Sequence, residues 1–397
     1  MLTILKKLTP LFLLFPILSF SNVLRPSENN SICTNTEIKT GADNFEKYLP
    51  LLKDKKVGIV TNQTGLLSNK VHLVDFLLDK KINIQYIFAP EHGFRGTADA
   101  GEHIHDGKDA KTGLSVISLY GDNKKPKPEQ FKNMDVMVFD IQDVGARFYT
   151  YISSLHYVME ACAENNVPLI ILDRPNPNSS IVDGPILEKE FKSFIGMHPI
   201  PVLHGMTIGE YGQMINGEKW LKEGVQCKLT VIECSNYKRE MSYSILAKPS
   251  PNLPNDQSIN LYASLCFFEG TNVSLGRGTE KQFQIYGSPF LPKKGFSFTP
   301  KPNFGSKTPP HNGELCYGED LSNEPKLHRL ELKWLIEAYK NTADKSTFFI
   351  PLFTKLAGTK KLQEQIEKGI SENDIRKTWK NGLEQFKKMR QPYLIYK

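Results

Sequence analysis

Two spacings of apolar residues alternate through the first two-thirds of the chain. Lys56-Val57-Gly58-Ile59-Val60-Thr61-Asn62 is a short apolar run bounded by lysines and by a polar Thr-Asn-Gln-Thr-Gly turn, the pattern of a strand buried on both faces. Ile82 to Ala89, Val116 to Tyr120, Asp135 to Asp140 and Pro168 to Asp173 repeat it. Between these runs the spacing becomes helical: Val71, Val74, Phe76, Leu77 and Leu78 follow a candidate N-cap at Ser68. Ile152, Leu155, Val158, Met159 and Cys162 mark a second helix between Tyr149 and Asn165. Strand and helix in alternation predict a Rossmann-like α/β domain, a parallel sheet covered by helices.

Beyond Asp173 the chain is irregular until Thr207, which with Glu210 forms a capping-box pattern opening a helix to about Asn216. Cys227 to Cys234 alternates as a strand. Pro249, Pro251 and Pro254 then forbid regular structure, and the domain boundary is placed there. Helical patterns at Lys326 to Tyr339, Thr359 to Lys368 and Glu372 to Met389, with a terminal strand at Tyr393 to Tyr396, predict a smaller α+β domain. The expected division is 1–21, 22–44, 45–255 and 256–397.

The first of these segments is a secretory signal by pattern. Lys6 and Lys7 precede an apolar stretch from Leu8 to Phe20, and Ser19-Phe20-Ser21 offers small residues where a signal peptidase reads. A loose leader over 22–44 follows. No other stretch approaches the roughly 18 apolar residues that a membrane span needs. Export to the periplasm or outside the cell is therefore expected. The net charge of +7 is spread among acids with no basic run interleaved with aromatics, which argues against nucleic acid as a partner. The six cysteines show no C-x-x-C pair and no zinc spacing.

Each predicted strand ends in polar residues: Asn62-Gln63-Thr64, Glu91-His92, Asp140-Ile141-Gln142-Asp143 and Asp173-Arg174-Pro175-Asn176. Ligands of open parallel sheets bind beyond the carboxyl ends of the strands, so these clusters are expected to converge on one cleft. Neither G-x-G-x-x-G after the first strand nor G-x-x-x-x-G-K-[ST] occurs, and no nucleotide or other cofactor is expected. Glycoside hydrolysis needs a proton donor and, on the other side of the sugar, a second carboxylate or the substrate's own N-acetyl group. Glu91 suits the donor role, since a loop carrying Phe88, Pro90 and Phe94 partly desolvates it. Asp140 and Asp143 are candidates for a second acid, beside Gln142, Arg147 and Tyr149, which can hydrogen-bond a sugar. Asn252 and Arg277, the latter between Gly276 and Gly278, bring polar groups from the boundary and the second domain. A rival metal reading uses His92, Glu102, His103, His105 and Asp106, but no complete ligand set is present and no metal is expected.

The segments Val57 to Gly65, Pro90-Glu91-His92-Gly93-Phe94-Arg95-Gly96, Asp140 to Tyr151, Asp173-Arg174-Pro175-Asn176-Pro177, His204-Gly205-Met206-Thr207, Pro249-Ser250-Pro251-Asn252 and Gly276-Arg277-Gly278-Thr279 resemble the NamZ family of exo-β-N-acetylmuramidases. The resemblance runs from about Val57 to Tyr396. It implies a Rossmann-like catalytic domain followed by a smaller domain, with the active cleft between them, and removal of terminal N-acetylmuramic acid from the non-reducing end of peptidoglycan fragments. The family's catalytic glutamate falls on Glu91. Asp140, Asp143 and His92 remain candidates for the second catalytic role, and Asn62, Arg95, Gln142, Arg147, Tyr149, Asn252 and Arg277 for substrate contacts. Arg95, Arg147 or Arg277 is expected to bind the lactyl carboxylate that distinguishes muramic acid from glucosamine. Departures at Asn178-Ser179-Ser180 and at Gln282 fall outside the acid-bearing loops. A wall-sugar binding protein without catalysis and a metal-dependent hydrolase are the competing expectations.

Overall fold

The computed structural model describes residues 37–95 and 106–397. The expected signal segment, most of the leader, Cys33, Glu102, His103 and His105 lie outside the described residues.

A seven-stranded sheet organises the chain. Its strands are β1 (Lys56–Thr61), β2 (Asn83–Ala89), β3 (Gly107–Lys108), β4 (Ser115–Ser118), β5 (Val136–Asp140), β6 (Leu169–Leu172) and β7 (Leu229–Ile232), in the spatial order β3-β4-β2-β1-β5-β6-β7. All neighbours are parallel except β3, which pairs antiparallel with β4 at the edge. From β1 the chain builds outward through β2 and β4, then returns to β1's other side and builds through β5, β6 and β7. That reversal is the topological switch point where such sheets open a crevice.

Alternation within the strands assigns their two faces to two cores. Val136 and Val138 of β5 join Val57, Ile59, Ile170 and Leu172 under helices α1 (Phe45–Leu52) and α2 (Leu73–Asp79). Met137 and Phe139, with Val60, Leu169 and Ile171, face the other way. There they meet α4 (Tyr151–Glu164) and α5 (Ile208–Gly217), while the short α3 (Pro128–Phe131) precedes β5. Every residue of β5 and β6 is buried, as their unbroken apolar runs require. The capping box at α5 is present: the Thr207 hydroxyl accepts from Glu210 N–H at 3.2 Å, and the Glu210 carboxylate accepts from Thr207 N–H at 3.0 Å.

The second core continues into the later part of the chain. A three-stranded antiparallel sheet, β8 (Ile285–Ser288), β10 (Cys316–Asp320) and β9 (Phe296–Phe298), packs with helices α6 (Asp256–Leu265), α7 (Lys333–Asn341), α8 (Leu352–Ala357), α9 (Lys361–Glu367) and α10 (Glu372–Arg390). Five cysteines at 162, 227, 234, 266 and 316 are free and buried.

Three expectations are corrected. The loose leader does not extend to residue 44: residues Gly41–Asp43 form a buried 3-10 turn, and the Asp43 carboxylate accepts from the Ser68 N–H at 2.7 Å. Ser68 is thereby engaged and does not cap α2. His72 does, its Nδ1 accepting from Val74 N–H at 3.2 Å. The chain end is not a strand. After a 3-10 turn at Gln391–Tyr393, the Ile395 and Tyr396 N–H groups donate to Glu210 Oε1 instead of to a neighbouring strand.

Candidate active site

Pro90 ends β2 because it has no N–H to continue the ladder, and the chain turns at once, Gly93 N–H donating to Pro90 O at 3.0 Å. His92 takes φ +70° within this turn, a left-handed conformation that costs a non-glycine residue energy and is found at functional loops. The turn carries Glu91 into a cavity of about 630 Å³. Strand ends of the large sheet supply one wall through Glu91, His92, Tyr120, Tyr149 and Thr150. The later part of the chain supplies the other through Tyr262, Glu269, Arg277, Phe283 and the segment around Gly305 to Thr308. This volume lies in the range of small-molecule clefts, with aromatic walls and few charged groups.

Both oxygens of Glu91 are engaged. The Tyr120 hydroxyl donates to Oε1 at 3.0 Å and the Thr150 hydroxyl to Oε2 at 3.1 Å. Tyr120 lies just beyond β4, and Thr150 is the residue immediately before α4. Burial, followed by the Glu91 charge beside it, pushes the Tyr120 phenol up, so it stays a hydrogen-bond donor.

Of the other expected residues, His92, Tyr149 and Arg277 line the cavity. Tyr149 donates to Pro249 O at 2.7 Å and stands edge-on to Tyr151 and Tyr262, fixing the wall against the proline segment. The Arg277 guanidinium is held by Glu269 Oε1 at 2.5 Å from Nη2 and 3.1 Å from Nε, and it sits 5.2 Å from the Phe283 ring centre. Burial acts to lower Arg277, but the Glu269 charge and hydrogen bond outweigh it and hold the guanidinium above its ordinary range.

The remaining expected residues do not line the cavity. Asp140 is fully buried and forms a bidentate pair with Arg174, at 2.6 Å to Nε and 2.9 Å to Nη2, so it is a structural ion pair and not a second acid. Asp143 is also closed in. Its Oδ2 accepts from Gly145 N–H at 2.7 Å, its Oδ1 has no hydrogen-bond partner, and burial pushes it up to about 7. Gly145 is required here: at φ +78°, an added Cβ would stand 2.3 Å from Asn176 Oδ1. Gln142 donates inward to Asp143 O and Pro175 O, at 2.8 and 2.7 Å. Arg147 is not a substrate ligand. It is fully buried and donates to Pro185 O, Ile200 O, Leu356 O and Ala357 O, tying the large sheet's loops to α8. Arg95 pairs with Asp109 at 2.9 Å and lies 4.2 Å from the Phe94 ring centre. Asn252 donates to Gly305 O at 2.6 Å behind the wall. Asn62 acts one layer out: it donates to the Tyr151 hydroxyl at 2.8 Å, and Tyr151 reaches Glu91 O at 3.5 Å.

Tyr120 and Thr150 were absent from the sequence-based set. Tyr120 is the last residue of the expected strand from Val116 and Thr150 lies at the start of the expected helix, so the signal that could have found them is a hydroxyl at an element boundary facing the cleft. Among the described residues no group of three His, Cys, Asp or Glu is placed to hold a metal ion.

A doubly wound sheet whose strand-end carboxylate Glu91 lines an aromatic cleft, opposite the Glu269–Arg277 pair, defines an α/β protein with a site for a small polar ligand. Models of the two halves of the exo-β-N-acetylmuramidase NamZ match residues 57–257 and 260–396, and the chain belongs to that family. It is 39% identical over 396 residues to the peptidoglycan β-N-acetylmuramidase NamZ of Bacillus subtilis strain 168, covering 94% of each chain. Two crystal structures of DUF1343 family proteins from Bacteroides fragilis NCTC 9343 share the fold. One has TM-score 0.84 and 44% identity, the other 0.77 and 30%, each covering 91% of this chain and 99% of its own.

Proposed function

We propose that the chain is a glycoside hydrolase, an exo-β-N-acetylmuramidase that removes terminal N-acetylmuramic acid from the non-reducing end of peptidoglycan fragments, and that Glu91 is its proton donor. The observation that carries the reading is Glu91 itself, held at both oxygens in the wall of a cleft of sugar-binding size. A carboxyl group there protonates the glycosidic oxygen as the bond to the anomeric carbon breaks, and positive charge develops on the sugar ring. Asp140 and Asp143 are closed in the interior, and Glu269, the other described carboxylate of the cavity, is paired with Arg277. Among the described residues that leaves no second carboxylate of the cavity outside an ion pair, and we take the substrate's own acetamido oxygen as the group that meets the developing charge. Arg277 is the arginine that binds the lactyl carboxylate, since of the three expected arginines it alone lines the cavity. Release of wall sugars fits the expected export to the periplasm or outside the cell, and cell fractionation tests that placement.

The deciding experiment incubates the purified protein, with chelator present, on chromogenic β-N-acetylmuraminide and β-N-acetylglucosaminide. Release from the muraminide alone, lost in Glu91→Gln at unchanged melting temperature, is expected. Release from neither substrate while sugar binds would favour the binding-protein reading. Release only after metal is added would favour the metallo-hydrolase.

A further inference from the structure

We propose that Tyr120 and Thr150 are paired positioning residues that fix the Glu91 carboxyl for reaction, a role that rests on Glu91 being the acid of the reading above. Each hydroxyl takes one carboxyl oxygen, at 3.0 and 3.1 Å, so together they set both the rotation and the tilt of the carboxyl plane. The two arrive from opposite sides, Tyr120 from the end of β4 and Thr150 from the turn after β5 that opens α4. Two strand ends and the start of α4 thus converge on one carboxyl group. Holding a reacting group within a narrow range of directions is a large part of a catalytic advantage.

Thr150 supplies a second and independent observation. It occupies the N-cap position of a 14-residue helix, where a threonine hydroxyl ordinarily accepts from the first turn. Here it makes no such bond and faces Glu91. Its backbone is already helical there, at φ −71° and ψ −6°, instead of the extended conformation a capping residue takes, and this leaves the hydroxyl for the cleft. Tyr120 is suited to the same task, because its burial keeps the phenol protonated and donating. The backbone beneath is held too, by Tyr151 and by the turn from Pro90 to Gly93.

A mutant cycle on the full chain tests the pairing, with the chromogenic muraminide as substrate. Tyr120→Phe and Thr150→Val are each expected to lower kcat about 10- to 100-fold with KM changed less than about twofold, because the lost interaction orients the acid and does not bind sugar. Thr150→Ser, which restores a hydroxyl, is expected to recover most of the Thr150→Val loss. In the Tyr120→Phe, Thr150→Val double variant the loss is expected to be less than the product of the two single losses, as for residues acting through one group. Unchanged kcat in both hydroxyl deletions, a loss confined to KM, or fully multiplicative losses in the double variant would each overturn the proposal. Melting temperatures exclude misfolding as the cause. Full activity of Glu91→Gln alone would instead remove the acid assignment.

Discussion

Two sets of acidic side chains leave the same edge of the large sheet and meet opposite fates. Glu91, after β2, faces the cleft and touches hydroxyls. Asp140 and Asp173, at the ends of β5 and β6, turn inward and are fully buried. Asp173 accepts from the Thr207 hydroxyl at 2.7 Å, the Gly209 N–H at 2.8 Å and the Tyr396 hydroxyl at 2.7 Å, while Asp140 holds Arg174. The first carboxyl lines the cleft; the others lock loops and the chain end onto the sheet. All three acids have donors from neighbouring elements; the difference is that Asp140 and Asp173 are sealed from solvent while Glu91 keeps a face on the cavity.

Breaking the inward set is expected to have the largest effect. Asp140→Ala leaves the Arg174 guanidinium charged in the interior, a loss of about 3–5 kcal/mol for an uncompensated buried partner. Chemical denaturation should show this as a lower midpoint at unchanged slope. Glu91→Gln should stay within about 0.5 kcal/mol of the parent, as for changes away from such features. Similar stability losses in both variants would mean that the two sets do not differ in kind.

The large sheet was legible because its strands are unbroken apolar runs and α4 and α5 have clean helical spacing or caps. Glu91 was legible too, as the acid following Pro90 at a strand end. What local pattern does not carry is who reaches whom. Asp140 meets its arginine 34 residues on, Asp173 its tyrosine 223 residues on, and Arg147 its α8 carbonyls more than 200 residues on. Arg147 and Arg277 have the same chemistry in a sequence, and long-range packing alone makes one a brace and the other a wall of the cleft. The expected terminal strand failed for the same reason: its N–H groups are taken by Glu210, far away in sequence.

A titration sharpens the contrast. Burial raises Asp143 and Asp173 from the ordinary carboxylate range to about 7. Because the folded value exceeds the unfolded one, the stability they contribute is full below about pH 4 and is lost as pH rises through about 7. Asp43 and Asp109 shift the other way. Their hydrogen bonds, with the Arg95 charge for Asp109, outweigh burial, and their contribution is lost only at lower pH as each is protonated. Buried His72, His156, His198 and His204 are lowered by burial and act in the opposite sense, their contribution growing as pH rises through the same window. Asp143→Asn, which keeps an oxygen for the Gly145 N–H, removes one of the two raised acids, so the slope of melting temperature against pH should become more positive than in the parent between about pH 4 and pH 7. The same profile in parent and variant would show that Asp143 ionises without penalty.

The smallest effect expected is at Arg277, which belongs to the cleft yet carries an ion pair like the inward set. The side chains of its pair with Glu269 are 20% and 28% exposed, so its worth to stability is modest. Its worth to recognition is larger, because a guanidinium fixed by one carboxylate still presents donors to a second. Arg277→Lys keeps the charge but loses the planar fork. The muraminide kcat/KM should fall about 10- to 100-fold through KM, matching about 1.5–3 kcal/mol for a hydrogen bond to a charged group. Inhibition by free N-acetylmuramic acid should weaken by a similar factor, while inhibition by N-acetylglucosamine should not change. If both sugars weaken equally, Arg277 acts as a brace after all, and the lactyl carboxylate is read by another residue of the cleft.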